Sequence, residues 1–213
     1  MIVTDTAWPY SPNEHEDRYF ADLFARTRLL VVLRGLDPEE AVRRAIAAWD
    51  GGAVAVEVTI ADPTHLATLQ AVAREGTARG IAVGAGSVYR HAQVSAAATA
   101  GAGFVVAPSL DDGVSRACRE RGLPHMPGVA TASEIAHAER LGHRWLKVFP
   151  ARELGSSWIR AMSGPFPWAR WIATGGVTLD SAAEFLAAGC AAVGMGEPVG
   201  DWSAARSLTG AAT

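Results

Sequence analysis

The chain has 213 residues, of which 49% are hydrophobic and 19% charged, with a net charge of −3. That size and balance describe one globular α/β-sized unit with its own core, and a single domain over residues 1–213 is expected. Charges of both signs are scattered without a basic stripe, and no apolar run approaches the ~18 residues of a membrane span, which excludes nucleic acid and membrane as expected partners.

The opening stretch "MIVTDTAWPYSPNEHEDRYF" lacks a basic region followed by an apolar run, so a secretion leader is not read here and a cytoplasmic location is expected. "EHEDRYFADLFARTR" (14–28) reads as an extra helix placed to cover the floor of the fold that follows. From residue 29 onward, short apolar runs alternate with helical patterns. "LLVVLR" (29–34) is a strand ending on Arg34. "DPEEAVRRAIAAWDGG" (37–52) is a helix that Asp37 caps, Pro38 opens and the glycine pair ends. The strand "AVAVEVT" (53–59) carries Glu57, and "IAVGAG" (81–86) runs into Ser87. "FVVAP" (104–108) ends on Pro108, and "LPHMPG" (123–128) supplies a fifth strand. "TASEIAHAERLG" (131–142) has the capping-box pattern Thr131 and Glu134, with Gly142 as its stop. "RWLKVF" (144–149) contains Lys147 and Phe149, "RWIATGG" (170–176) ends on Thr174, Gly175 and Gly176, and "CAAVGMG" (190–196) ends on Gly196 just before Glu197.

Eight strands with seven connecting helices at a repeat of ~25 residues predict an α/β fold, an eight-stranded parallel (β/α)8 TIM barrel over 29–200 with an N-terminal extension and helix over 1–28. The near-continuous apolar strands suit a parallel sheet covered by helices. An open doubly wound sheet is the alternative, and the strand count argues against it. In such barrels chemistry gathers at the C-terminal strand ends, where the polar residues named above lie.

Lys147 is the only lysine among 19 basic residues, and it sits between Trp145, Leu146, Val148 and Phe149. Arginine serves wherever a fixed positive charge suffices; an amine differs in that burial can deprotonate it. A neutral amine can attack a ketone and turn its carbonyl into an imine electron sink. The competing reading is a packed stem with its head in a salt bridge. Glu57, a carboxylate in an apolar strand, is either the proton shuttle for that chemistry or the partner in a buried ion pair without chemistry. "GAGS" (84–87) and "ATGGV" (173–177) put backbone amides where an anion can meet them, although glycine turns are common at barrel strand ends. The six histidines show no ligand spacing and Cys118 and Cys190 no CxxC pattern, so neither metal nor disulfide is expected and the histidines are expected at surface or capping positions. Trp158, Trp168, Trp171 and Trp202 are expected in the core or at subunit contacts.

The segments "VEVT", "GAGSV", "PGVATASE", "LKVFPA", "SGPFPW" and "ATGGV", in this order, resemble the 2-keto-3-deoxy-6-phosphogluconate and 4-hydroxy-2-oxoglutarate aldolases. The resemblance covers residue 29 to about residue 200. It implies a class I aldolase that cleaves a 2-keto-3-deoxy sugar acid or 4-hydroxy-2-oxo acid to pyruvate and an aldehyde, a homotrimer of α/β barrels without metal or other cofactor. On this resemblance Lys147 forms the imine with the keto acid, Glu57 is the acid/base, and Ser87 meets the pyruvate carboxylate. Arg34, Pro108, Phe149, Thr174, Gly175, Gly176, Gly196 and Glu197 complete the substrate-facing set. Two positions depart from the pattern. Ala61 stands where the family usually has a carboxylate-binding arginine; Arg34 at the end of the first strand can reach the same anion, and the competing reading of Arg34 is a salt bridge at the rim. Glu197 stands where phosphate-binding members have serine, and a carboxylate there repels a phosphate dianion unless an arginine such as Arg152 pairs with it. Two further readings stay open: an imine used for decarboxylation or dehydration, and a degenerate barrel that binds a keto acid or sugar acid without turnover.

Overall fold

The computed structural model describes residues 12–196 and residue 208. Glu197, Trp202 and the expected barrel end at residue 200 lie outside the described residues, as do residues 1–11. Within them the chain runs α1 (Glu14–Arg26), β1 (Leu29–Leu33), α2 (Pro38–Asp50), β2 (Ala55–Thr59), α3 (Leu66–Ala78), β3 (Val83–Gly86), α4 (His91–Thr99), β4 (Phe104–Val106) and α5 (Asp112–Glu120). It continues β5 (His125–Met126), β6 (Gly128–Val129), α6 (Ala132–Arg140), β7 (Trp145–Val148), α7 (Ala151–Leu154), α8 (Ser156–Ser163), β8 (Arg170–Thr174), α9 (Leu179–Ala187) and β9 (Cys190–Gly196). All pairings are parallel, in the order β5-β4-β3-β2-β1-β9-β8-β7-β6.

The expected fifth strand over 123–128 is here two short strands, which makes nine rather than eight. Pro127 separates them, because a residue without an N–H cannot continue the ladder. Its carbonyl still accepts from the Lys147 N–H at 2.9 Å, while the Met126 carbonyl accepts from the Ala107 N–H at 3.0 Å on the other side. One chain segment thus bonds to both neighbours and closes the sheet into a barrel. Gly128 permits this, since a Cβ there would lie 2.3 Å from the Pro108 backbone.

Helix ends follow the caps read from the sequence. Asp37 accepts from the Glu40 N–H at 2.9 Å, and Thr131 accepts from the Glu134 N–H at 3.3 Å while Glu134 accepts from the Ala130 N–H. Residues alternate along each strand between two cores. Val31, Val56, Val58, Leu146 and Val148 face the helices, whereas Leu30, Ala55, Phe104, Trp145, Ile172 and Ala192 point inside the barrel.

The N-terminal helix closes that interior from below. Phe20 and Phe24 of α1 are buried against Phe104 and Trp145, the first residues of β4 and β7. Asp17 accepts from the Trp145 indole N–H at 2.8 Å and from Arg144 at 3.0 Å. Glu16, 3% exposed, accepts the His125 backbone N–H at 3.1 Å and lies 2.8 Å from His143 Nδ1. His143 Nε2 in turn lies 3.0 Å from the Ser115 hydroxyl, and His125 and His143 are each only 1% exposed. These two histidines are therefore buried members of a floor network, not the surface or capping residues expected. Among the described residues no helix is long and apolar enough to cross a membrane.

Burial, reinforced by His143, holds the His125 imidazole well below its ordinary pKa. The folded chain therefore keeps His125 neutral, while the unfolded chain protonates it near the usual value of about 6.5. Stability from this site is present above that pH and is lost as pH falls below it. The thermal midpoint is expected to drop between about pH 6.5 and 5 more steeply in the native protein than in His125→Phe; parallel pH profiles contradict the assignment.

Candidate active site

The parity that places Ala55 inside the barrel also places Glu57 and Thr59 there. By the same rule Trp145 brings in Lys147, Ile172 brings in Thr174, and Ala192 brings in Gly194 and Gly196. Glu57 is 0%, Lys147 4% and Thr174 2% exposed. Val32 pairs with Glu57 in register, so the exposed Arg34 sits just beyond that layer at the end of β1.

Neither carboxylate oxygen of Glu57 has a hydrogen-bond partner among the described residues, so Lys147 and Glu57 do not close into a contact pair. The Lys147 Nζ instead lies 5.1 Å from the centre of the Phe149 ring. The charges still act on each other. Burial drives the Lys147 ammonium below its usual pKa, Glu57 pulls it back up and Arg34 lowers it further. Burial also raises the Glu57 carboxyl above its ordinary range, against the opposing pull of Lys147 and Arg34. Both groups are thereby shifted toward their neutral forms: an amine able to attack and an acid able to give up a proton. The Thr174 hydroxyl is a third buried polar atom without a partner, one layer away. Orphaned buried polar atoms of this kind are costly and mark places where a ligand or water completes the bonding.

The other expected residues fall around this centre. Ser87, 8% exposed, follows Gly86 with φ 59°, a left-handed conformation unusual for serine. Pro108 and Phe149 are half-buried at the ends of β4 and β7. Gly175, with φ 90°, lets the Phe149 ring close on the turn after β8, since a Cβ there would lie 2.8 Å from it. Gly176 makes room for the stem of Arg152, and Gly196 ends β9. A cavity of ≈ 350 Å³ lies beside Gly176, lined by Arg152, Ser156, Thr178 and Glu184, and includes neither Lys147 nor Glu57. A second, of ≈ 270 Å³, is lined by Ala61, Leu66, Arg90 and Gln93. Among the described residues no group of three or more His, Cys, Asp or Glu is placed to hold a metal ion.

Sequence reading missed two features. Thr59 sits inside, 2% exposed, two residues beyond Glu57, a position that strand alternation alone would have disclosed. Gly86, read as part of an anion turn, has a different use: a Cβ there would lie 2.7 Å from Glu57 Oε1 and 2.9 Å from its Cδ. Gly86→Ala is expected to destabilise the protein by about 1–3 kcal/mol through overpacking. In a Glu57→Ala background most of that penalty is expected to vanish, as denaturant titration of the four proteins in the cycle will read. An undiminished penalty contradicts the contact.

Known proteins resemble this chain over most of its length. Residues 21–209 match the profile of the KDPG and KHG aldolase family. A 2-dehydro-3-deoxy-phosphogluconate aldolase of Pseudomonas aeruginosa is 40% identical over 138 residues, 64% of this chain and 62% of that one. A 2-dehydro-3-deoxy-6-phosphogalactonate aldolase of Escherichia coli is 34% identical over 169 residues, covering 79% of this chain and 82% of that one. Among solved structures, a KDPG aldolase from Legionella pneumophila, with pyruvate captured as a covalent carbinolamine, superposes with a TM-score of 0.78 at 28% identity, covering 88% of this chain and 94% of that one. The chain belongs to the KDPG and KHG aldolase family.

Proposed function

We propose that this protein is a class I aldolase that reversibly cleaves a 2-keto-3-deoxy sugar acid or a 4-hydroxy-2-oxo acid to pyruvate and an aldehyde. The observation that supports it is the buried Lys147, shifted toward its neutral amine and coupled to a Glu57 that does not neutralise it by contact. The Lys147 Nζ attacks C2 of the keto acid, and the carbinolamine hydroxyl takes the proton of the neutral Glu57 carboxyl and leaves as water, giving a protonated imine and a Glu57 carboxylate. Glu57 takes the proton of the C4 hydroxyl as the C3–C4 bond breaks, and the bonding electrons pass into the imine as an enamine. The aldehyde departs, the enamine takes a proton at C3, and water releases pyruvate from Lys147. The carbinolamine captured in the Legionella pneumophila relative is the first covalent species of this sequence.

Arg34 and Ser87 hold the carboxylate in this reading, and Arg34 does the work of the arginine missing at Ala61. Thr174, Phe149, Pro108, Gly175, Gly176 and Gly196 bound the substrate, and the resemblance implies that Glu197 belongs to the same substrate-facing set. Glu197 argues for an aldehyde without a phosphate, in contrast to the phosphosugar acids named for the relatives. The reaction is placed in the cytoplasm, where the buried free thiols of Cys118 and Cys190 stay reduced. A trimer of single-domain barrels, the form the resemblance implies, completes the proposal, and light scattering tests it.

Ala61 favours one competing reading, a barrel that binds the keto acid without turning it over. Incubation with pyruvate, borohydride reduction and peptide mass spectrometry separate the two. A reduced pyruvyl adduct is expected on Lys147, the sole lysine, and is absent from Lys147→Ala. No adduct, under conditions that trap a related aldolase, contradicts the proposal, and undiminished pyruvate binding by Lys147→Ala supports the inactive barrel.

A further inference from the structure

Gln93, in the first turn of α4, uses both ends of its side chain. Its Oε1 accepts the backbone N–H groups of Tyr89 at 2.9 Å and Arg90 at 3.0 Å. Its Nε2 donates to the Ile60 carbonyl at 3.0 Å and the Ser87 carbonyl at 3.4 Å. The first pair of bonds satisfies amides at the start of a helix, as a polar residue three positions in commonly does. The second pair does something else. It ties the loop after β3 to the loop after β2, one residue from Ala61 and three from Glu57.

That tie holds a strained residue. Ser87 has φ 59°, the only positive value outside glycine among the described residues, and such backbone persists only where its surroundings over-determine it. Ser87 is 8% exposed, and its backbone carbonyl is the group that Gln93 Nε2 holds. Gly86, the preceding residue, is the one that accommodates the Glu57 carboxyl. A carbonyl fixed at Ser87 and another at Ile60 therefore set where the serine hydroxyl stands relative to Glu57.

We propose that Gln93 is a positioning residue for keto-acid binding, clamping the left-handed Ser87 against the β2 loop so that its hydroxyl meets the substrate carboxylate. The inference rests on the aldolase reading above. Gln93→Glu separates the clamp from the cap: a carboxylate still accepts from Tyr89 and Arg90 but can no longer donate to Ile60 and Ser87, and its charge suits a helix N-terminus. Its thermal midpoint is expected to fall by a few degrees, because the two donated bonds are lost while the cap is kept, with the fold retained. The pyruvate concentration for half-maximal borohydride-trapped adduct is expected to rise about tenfold, with the plateau retained because Lys147 and Glu57 are intact. Gln93→Asn, which keeps both groups but withdraws them by one methylene, is expected to show the same rise. In a cycle with Ser87→Ala the two effects do not add, since each removes the same hydroxyl contact.

An unchanged half-saturation in both Gln93 variants, or strict additivity with Ser87→Ala, reduces Gln93 to a helix cap and overturns the inference while the aldolase reading stands. Absence of any adduct in the native protein overturns both.

Discussion

An amine and a carboxylate are held inside an apolar barrel without closing on each other, and much of the structure's local chemistry follows from that constraint. Burying either charge alone costs several kcal/mol, roughly, and a contact pair would be the cheapest remedy. Here the remedy is withheld: among the described residues both Glu57 oxygens lack hydrogen-bond partners, and Lys147 faces the Phe149 ring. The system responds by shifting both groups toward neutrality, with Arg34 adding to the pressure on the amine and opposing it on the acid. A site arranged for stability would have paired them. The proposed reaction, which receives a carbonyl between an amine and an acid, needs them apart.

The surroundings are built to maintain that separation. Gly86 gives the Glu57 carboxyl its space, and Gly194 does the same for Thr174, whose Cγ2 would lie 2.5 Å from a Cβ there. The lower barrel interior is filled with large side chains, Phe104, Trp145, Ile172 and Phe20, and Glu57, Lys147 and Thr174 lie above them toward the C-terminal strand ends. The floor is held by Glu16, Asp17, Ser115, His125 and His143, residues that α1 draws together from distant parts of the chain. Polar bonding by α1 below, apolar packing in the middle and the Lys147, Glu57 and Thr174 side chains above form successive layers of the barrel.

Much of this was legible in the sequence because the signals were local. A sole lysine within "RWLKVF" and a glutamate within "AVAVEVT" stand out against apolar strands, and helix caps such as Asp37 and Thr131 announce themselves by spacing. The N-terminal helix and its place under the barrel followed from its position before the first strand. What could not be read depends on contacts across the chain. His125 and His143 have ordinary neighbours in sequence; their burial comes from Glu16 and Ser115. Pro127 interrupts a strand by lacking an N–H, but that Met126 on one side bonds to Ala107 and the Pro127 carbonyl to Lys147, closing the barrel, is a fact of topology and not of pattern. Gly86 looked like an anion turn because glycine carries no mark of what occupies its missing Cβ.

A single lysine makes the central claim directly measurable. Protein grown with isotope-labelled lysine gives one ε-methylene signal, whose shift against pH reports the Lys147 amine. The signal is expected to titrate below the ordinary value of about 10.4, and lower still in Glu57→Gln, because Glu57 is what partly restores the charged form. A midpoint at about 10.4 that Glu57→Gln leaves unmoved would mean a solvated ammonium uncoupled from Glu57, and would contradict the account.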